Sequence, residues 1–139
     1  MNISDDDGVL NAPDGPRVRS LGELRLLGRA LDRAAFIADV AMIHTHLTHE
    51  ELASAGSGLE ATEALIDLLR SADIAEVALV LKPDPDGSWR ASMRSRGGVD
   101  VGAVAASFGG GGHAAAAGFS AAGEPDALVA RVADRLREL

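Results

Sequence analysis

The sequence contains no cysteine, and aromatic residues make up only 3% of its 139 residues. The lack of thiols excludes disulfides, thiolate metal ligands and a cysteine nucleophile, and it is compatible with a reducing cytoplasm. With three Phe, one Trp and no Tyr, the core has to be built from aliphatic side chains, which supply most of the 47% hydrophobic content. A chain of this length buries roughly two-thirds of its unfolded surface, so one domain with a real core is expected.

Long hydrophobic runs are missing as well. No apolar run reaches the roughly 18 residues that a membrane-spanning helix needs. The N-terminal segment carries Asp5, Asp6 and Asp7, where a signal peptide would need positive charge followed by an apolar stretch. We therefore expect a soluble protein that is not exported, acts in the cytoplasm and contacts no membrane.

Positive charge is scarce, because 13 Lys and Arg face 21 Asp and Glu, which gives a net charge of −8. This balance argues against a protein that coats nucleic acid by bulk electrostatics. The distribution is uneven: residues 87–123 carry a net charge of +2, and the rest of the chain carries −10. The positive region contains four consecutive glycines at 109–112, so an anion-binding site is most expected there.

Capping boxes and apolar periodicity predict helices and strands in alternation. Residues 1–19 are rich in Gly, Pro, Asp and Asn, and are predicted to be a disordered or linker segment. The predicted helices are 21–35, a brief one from Thr48 to near Gly56, one from the Ser57 box to about Ala72, 101–107, a short one starting at His113, and one starting at Pro125. The predicted strands are 36–43, 75–81, a hairpin partner from Trp89, and one from Phe119. The fold class is α/β, with a mixed sheet of four or five strands and helices packed on it.

The glycine run is the most informative feature of the chain. Glycines surrender more backbone entropy on folding than other residues, so a compact protein keeps four of them only where the backbone needs positive φ or lies against something bulky. Bare main-chain amides can bind an anion, and a helix starting near His113 would add its positive end. A flexible linker is the alternative. A P-loop is excluded, because no Gly-Lys-Ser or Gly-Lys-Thr follows.

Arg94, Arg96 and His113 are candidate partners for the same anion. Period two puts both guanidinium groups on one strand face, and paired arginines suit a phosphate because each offers a planar fork of donors. The alternative for the arginines is a solvated strand face that includes Arg90. For His113 the alternative is a helix-capping role, whereas an imidazole beside a phosphate would have a raised pKa.

Three more histidines, His44, His46 and His49, have a spacing that is compatible with a metal site. In a strand, His44 and His46 would share one face, as in tight zinc sites. No cysteine and no carboxylate other than Glu50 and Glu51 is near to complete the set, and His49 is predicted to begin a helix. Histidines on the surface at the end of a strand are therefore favoured over a metal site.

From Ser92 onward the sequence resembles the DHHA1 domain of the DHH phosphoesterases, in the branch of bifunctional oligoribonucleases and phosphoadenosine-phosphate phosphatases. The matching stretches are Ser92 to Arg96, Val99 to Val101, Val104-Ala105, Phe108 to His113, and Ala116 to Gly118. The resemblance covers residues 59 to 123 well, and Leu24 to Leu31 and Thr62-Glu63 more weakly. It divides the chain into residues 1–19, a linker helix and domain start at 20–58, and a DHHA1-like substrate-binding domain at 59–139.

In that family a DHH domain binds two manganese ions that activate water, and the DHHA1 domain grips the substrate's phosphate or terminal nucleotide. The resemblance implies that substrate is bound by Arg94, Ser95, Arg96, Gly110, Gly111, Gly112 and His113. No Asp-His-His is present, so no catalytic or metal-binding residue is expected in this chain, and manganese is expected only through the DHH domain. Ala114 stands where many members carry a basic residue.

Two functional hypotheses remain open. The chain is the substrate-binding part of a phosphoesterase that acts on short RNA or 3′-phosphoadenosine 5′-phosphate, with a DHH domain in cis or in trans. Alternatively, it is a stand-alone module that binds a nucleotide or an RNA end without catalysis. A packing or homodimerisation module, whose glycines only let elements approach closely, is the third and simplest interpretation.

Overall fold

The structure, a computed structural model, describes residues 20–55 and 59–139 of the chain. In these ranges six strands form one mixed sheet, and five α-helices accompany it. The strands are β1 (Ala35–Ile37), β2 (Met42–His46), β3 (Val77–Pro83), β4 (Trp89–Ser95), β5 (Gly111–Gly112) and β6 (Ala116–Ala121). The helices are α1 (Leu21–Arg33), α2 (His49–Ala55), α3 (Leu59–Arg70), α4 (Val101–Ser107) and α5 (Pro125–Arg137). The predicted α/β class is confirmed, with more strands than expected.

The sheet has the order β1-β2-β3-β4-β6-β5, in which β2 and β3 are parallel and the other neighbours are antiparallel. Helices α4 and α5 cover one face through the cluster that contains Leu79, Met93 and Val132. Helices α1 and α3 pack on the other face against Ala78 and Val80 of β3. This second pair of helices is centred on β2 and β3, so β4, β6 and β5 present part of their surface to an open cavity.

Three predicted helix starts are confirmed by side-chain caps. The Ser20 hydroxyl accepts a hydrogen bond from the Glu23 amide at 3.1 Å, and the Asp100 carboxylate accepts one from Ala103 at 3.0 Å. At α2 the capping box is reciprocal: the Glu51 amide donates to the Thr48 hydroxyl and the Thr48 amide donates to the Glu51 carboxylate, each at 3.1 Å. Such caps each contribute about 1 kcal/mol. The Ser57-Gly58 part of the third box lies outside the described residues.

The predicted single strand over 36–43 is wrong, because this segment is a tight hairpin. A 3-10 turn over Ala38–Val40 separates β1 from β2, and Ala41 adopts a left-handed conformation with φ of 49°. Two distant contacts hold the turn: the Ala41 carbonyl accepts bonds from Glu76 and Val77, and Asp39 pairs with Arg137 of α5. The sequence pattern of branched apolar residues could not reveal either contact.

The predicted helix from His113 is also wrong. Of the alanines after His113, Ala116 and Ala117 begin β6, which pairs with β4 from Arg94↔Ala116 to Trp89↔Ala121. Alanine favours helices, but tertiary pairing outweighs a propensity of a few tenths of a kcal/mol per residue. No helix begins at His113, so the helix that was predicted to add its positive end to the anion site there is withdrawn.

No helix in the described ranges is long and apolar enough to cross a lipid bilayer.

Candidate functional site

An open cavity of about 550 Å³ lies over the part of the sheet that α1 and α3 leave uncovered. Strands β3 and β4 form its floor, β5 and β6 form one side, and α3 forms the opposite wall. The lining residues are Thr62, Glu63, Lys82, Asp84, Arg90, Ala91, Ser92, Arg94, Gly111, Gly112, Ala116, Ala117 and Gly118. Strand alternation explains the floor, because Arg90, Ser92 and Arg94 point to the same face.

Three basic side chains line this cavity: Lys82, Arg90 and Arg94. The register places Lys82 opposite Arg90, and Arg94 lies four residues further along β4, which corresponds to roughly 13 Å. Within the described ranges none of the three forms an ion pair; the Arg94 guanidinium donates only to the carbonyl of Met93 at 3.0 Å. None of the three positive charges is therefore neutralised by an ion pair with another described residue.

The glycine run lies at the edge of the sheet and is mostly engaged with the protein itself. The amides of Gly109, Gly110 and His113 donate to the carbonyls of Ala106, Ala105 and Ala116 at 3.0, 2.9 and 2.8 Å. They are therefore not free to bind an anion, in contrast to the prediction. Because His113 and Ala116 exchange both main-chain bonds, the alternation of an antiparallel ladder directs the Gly112 amide away from β6.

Close packing explains Gly110 and Gly112, and a positive φ of 87° explains Gly109, but neither explains Gly111. A Cβ on Gly110 would lie 2.1 Å from the carbonyl oxygen of Gly118, and one on Gly112 would lie 2.6 Å from that of Ala116. A Cβ on Gly111 would meet nothing within 4 Å, and its φ is not positive. Gly111 lines the cavity, so its bare backbone leaves space on the cavity side.

Aromatic stacking anchors the chain just before the glycine run. The rings of Phe108 and Phe119 stack with centroids 4.7 Å apart and an angle of 21°. The Arg131 guanidinium of α5 lies over the Phe108 ring at 5.4 Å, within the range of a cation–π contact. These contacts fix the position at which the chain enters β5.

Ser95 and Arg96 lie outside the cavity. The buried Ser95 hydroxyl accepts bonds from the amides of Gly97 and Val99 and donates to Glu76, so it stabilises the turn after β4. The Arg96 guanidinium donates to the carbonyls of Arg70 and Ala72 at 2.9 and 3.1 Å, at the end of α3. The structure thus separates Arg94 from Arg96, which the sequence placed on one face, because β4 ends at Ser95.

His113 is exposed and directly follows the lining residue Gly112. Its main chain closes the turn between β5 and β6, and its side chain lies beyond the residues that form the cavity wall. Of the seven predicted binding residues, Arg94, Gly111 and Gly112 line the cavity and His113 adjoins it. Gly110, Ser95 and Arg96 have roles within the fold.

Thr62 on the α3 wall is 3% exposed, and its hydroxyl is buried without a hydrogen-bond partner. A buried, unpaired hydroxyl costs roughly 1–3 kcal/mol. We expect Thr62→Val, which keeps the shape, to raise the free energy of unfolding by about 1 kcal/mol in urea denaturation. The matched control is Thr45→Val, because the Thr45 hydroxyl donates to the Ala30 carbonyl at 2.6 Å, and its loss should destabilise the fold by about 1 kcal/mol. Equal effects of the two variants would contradict this account.

His44 and His46 share one face of β2, as predicted, and this face of the sheet is the one opposite the cavity. Burial lowers the pKa of His44 and of His46, while the charge of Asp126 on α5 opposes this effect at both. Arg33 also lowers the pKa of His46, Glu51 raises it, and the His46 ring meets Trp89 edge-on at 5.9 Å. Both histidines therefore favour the neutral form more strongly than an exposed imidazole does.

The sign of the pH effect follows from these lowered pKa values. Below about pH 6.5 the unfolded chain binds protons that the folded chain rejects, so stability falls as the pH drops and levels off below the folded pKa. We expect the free energy of unfolding to decrease by of the order of 1 kcal/mol or less between pH 7.5 and 5 from these groups, because both are partly solvated. Urea melts of the protein and of the double variant His44→Gln/His46→Gln measure it; an unchanged slope in the variant would refute it.

A metal centre of the kind implied by the resemblance does not fit these residues. The described ranges contain no group of three or more His or acidic side chains that could hold a metal ion. His49 begins α2, and Asp84 and Asp86 belong to the turn between β3 and β4, where the Asp86 carboxylate accepts bonds from Ser88.

Lys82, Ser92 and the α3 wall were not predicted as parts of the site. Alternation along β4 was the available signal, because Arg90, Ser92 and Arg94 share a face by period two. The involvement of Lys82 follows from the register of the β3–β4 hairpin, which places it opposite Arg90. Thr62 and Glu63 come from a helix far away in sequence, and local patterns do not show that contact.

Residues 45–138 match the family described as the DHHA1 domain. The bifunctional oligoribonuclease and PAP phosphatase NrnA of Thermus thermophilus is 32% identical over 115 residues, which cover 82% of this chain and 34% of that protein. A crystal structure of an exopolyphosphatase-related protein from Bacteroides fragilis has a TM-score of 0.78 at 25% identity, covering 87% of this chain and 36% of the other. The pGpG-specific phosphodiesterase PggH from Vibrio cholerae has the same fold, with a TM-score of 0.60 at 14% identity, covering 84% and 39%. The chain thus spans about a third of the length of these proteins.

Proposed function

Because the chain belongs to the DHHA1 domain family, we propose that it holds the phosphate-bearing end of a short oligoribonucleotide or nucleotide while a DHH domain, in cis or in trans, hydrolyses the phosphate ester. The observation that carries this proposal is the set of three cations, Lys82, Arg90 and Arg94, that line the cavity without ion pairs. An anion replaces the missing counter-ions there. The manganese that the reaction uses belongs, in this proposal, to the DHH domain, and the reaction takes place in the cytoplasm.

Each part of the proposed site has a defined task. Arg94 offers its planar fork to a phosphate group, and the hydroxyl of Ser92 lies on the same floor as a further donor. Gly111 leaves room for the ligand, and Gly112 contributes its outward amide. His113, exposed beside Gly112, completes the rim and offers a ring N–H to the phosphate.

The names of the relatives leave several ligands to choose from. NrnA is named for oligoribonucleotides and PAP, and the exopolyphosphatase-related protein adds inorganic polyphosphate as an alternative. This chain covers about a third of the length of these relatives. We therefore propose hydrolysis only for a larger assembly that includes the DHH domain.

A titration of the full chain tests the proposal. The ligands are a 5′-phosphorylated trinucleotide RNA and adenosine 3′,5′-bisphosphate, and binding is followed by NMR at the amides of Gly111 and Gly112 and at the His113 ring. We expect saturable shifts at these positions and no manganese-dependent hydrolysis by the chain alone. Absence of binding, or shifts confined to the face that carries His44, would refute the proposal.

A further inference from the structure

Two carboxylates line the cavity together with the three cations: Glu63 on the α3 wall and Asp84 at the end of the floor. Within the described ranges neither forms an ion pair with a cation, whereas other acidic residues such as Glu51 and Asp39 do. Glu63 is exposed on the surface of α3, directly after the buried Thr62. The cavity therefore has a basic floor and an acidic side, and the two are not neutralised by each other.

This division restricts the chemistry of the ligand. A group that is anionic over its whole length, such as inorganic polyphosphate, would gain from the floor but would also be repelled by Glu63 and Asp84. A phosphate ester of a group with hydroxyl or amino donors satisfies both sides, because its phosphate meets the cations and its donors meet the carboxylates. Hydrogen bonds to a charged acceptor are stronger than neutral ones.

From this geometry we infer that Glu63 is a specificity-determining residue, which selects nucleotides over inorganic polyphosphate: it accepts a hydrogen bond from the nucleoside part and repels a phosphate group joined directly to the one on the floor. The inference rests on the proposed function, because it assigns the ligand class of the same cavity. Asp84 adds to the repulsion at the other end of the floor.

Binding constants for adenosine 5′-monophosphate and for tripolyphosphate test the inference, measured by calorimetry on the full chain at one salt concentration. The wild-type chain should bind adenosine 5′-monophosphate more tightly, although tripolyphosphate carries more charge. Glu63→Ala should shift the ratio of the two affinities toward tripolyphosphate by about fivefold or more, which is about 1 kcal/mol. Glu63→Gln, which keeps a neutral acceptor, should fall between the two.

The control is Asp67→Ala, which removes a negative charge from α3 one helical turn further on, outside the residues that line the cavity; Asp67 lies 4.0 Å from Arg70 at the surface. It should leave the ratio within about twofold. An unchanged ratio in Glu63→Ala, an equal shift in Asp67→Ala, or a wild-type preference for tripolyphosphate overturns the role of Glu63 while the cavity still binds phosphate. A chain that binds neither ligand overturns the proposed function as well.

Discussion

Replacing Arg94 by Ala is expected to weaken the binding of a 5′-phosphorylated trinucleotide by about 10- to 100-fold, because a charge-assisted bidentate contact contributes roughly 1.5–3 kcal/mol. Arg94 faces the cavity and has no ion pair within the described ranges, so the guanidinium is available to the ligand. Arg94→Lys should recover part of the loss, because it restores the charge without the planar fork. Titration by NMR or calorimetry measures all three proteins.

Arg96→Ala is the matched control, since it removes the same side chain two residues further along. Its guanidinium donates to the carbonyls at the end of α3, so this variant should lower stability by about 0.5–1 kcal/mol and leave affinity within about twofold. If Arg96→Ala weakened binding as much as Arg94→Ala, the site would lie at the end of β4 and not in the cavity.

The second large effect is expected in the glycine run, where neighbouring positions should respond in opposite ways. Gly110→Ala places a methyl group 2.1 Å from the Gly118 carbonyl oxygen and 2.6 Å from Cβ of Phe119, so β5 has to move away from β6. We expect the free energy of unfolding to fall by about 3 kcal/mol or more, at the upper end of the cost of overpacking. Urea denaturation followed by circular dichroism measures this change.

Gly111→Ala provides the contrast, because the added methyl group meets nothing within 4 Å. Its stability should stay within about 0.5 kcal/mol of the wild type, while the methyl group enters the cavity and weakens phosphate binding. A stable Gly111→Ala variant with unchanged affinity would leave the glycines with a packing role alone. A destabilised Gly111→Ala variant would show that other atoms occupy the space beside Gly111, which is empty in the structure.

The sequence predicted those parts of the fold that local chemistry determines. Ser20, Thr48 and Asp100 each end a non-helical segment with a side chain that can accept an amide hydrogen bond, and each begins a helix in the structure. The turn chemistry after Pro83 likewise predicted the β3–β4 hairpin. In these cases the interacting groups are two to four residues apart, so a short stretch of sequence contains both partners of each hydrogen bond.

The misjudged parts depend on residues that are far apart in sequence. The turn at Asp39 is held by Arg137, 98 residues away, and the alanines that looked helical are held in β6 by pairing with β4. At the site, the alternation of side chains along a strand predicted one face for Arg94 and Arg96. Because β4 ends at Ser95, Arg96 leaves that face and donates to a carbonyl at the end of α3. The residue types indicated the class of ligand, whereas the strand ends and the strand register determine which of the predicted residues lie close together.

Both margins of the sheet are formed by very short strands, β1 with three residues and β5 with two. A short margin offers another polypeptide few main-chain groups for intermolecular pairing, which is one of the ways in which natural proteins suppress aggregation. Self-association of this protein, where it occurs, should therefore proceed through side-chain contacts on helices, and it should not lengthen the sheet from one molecule into the next.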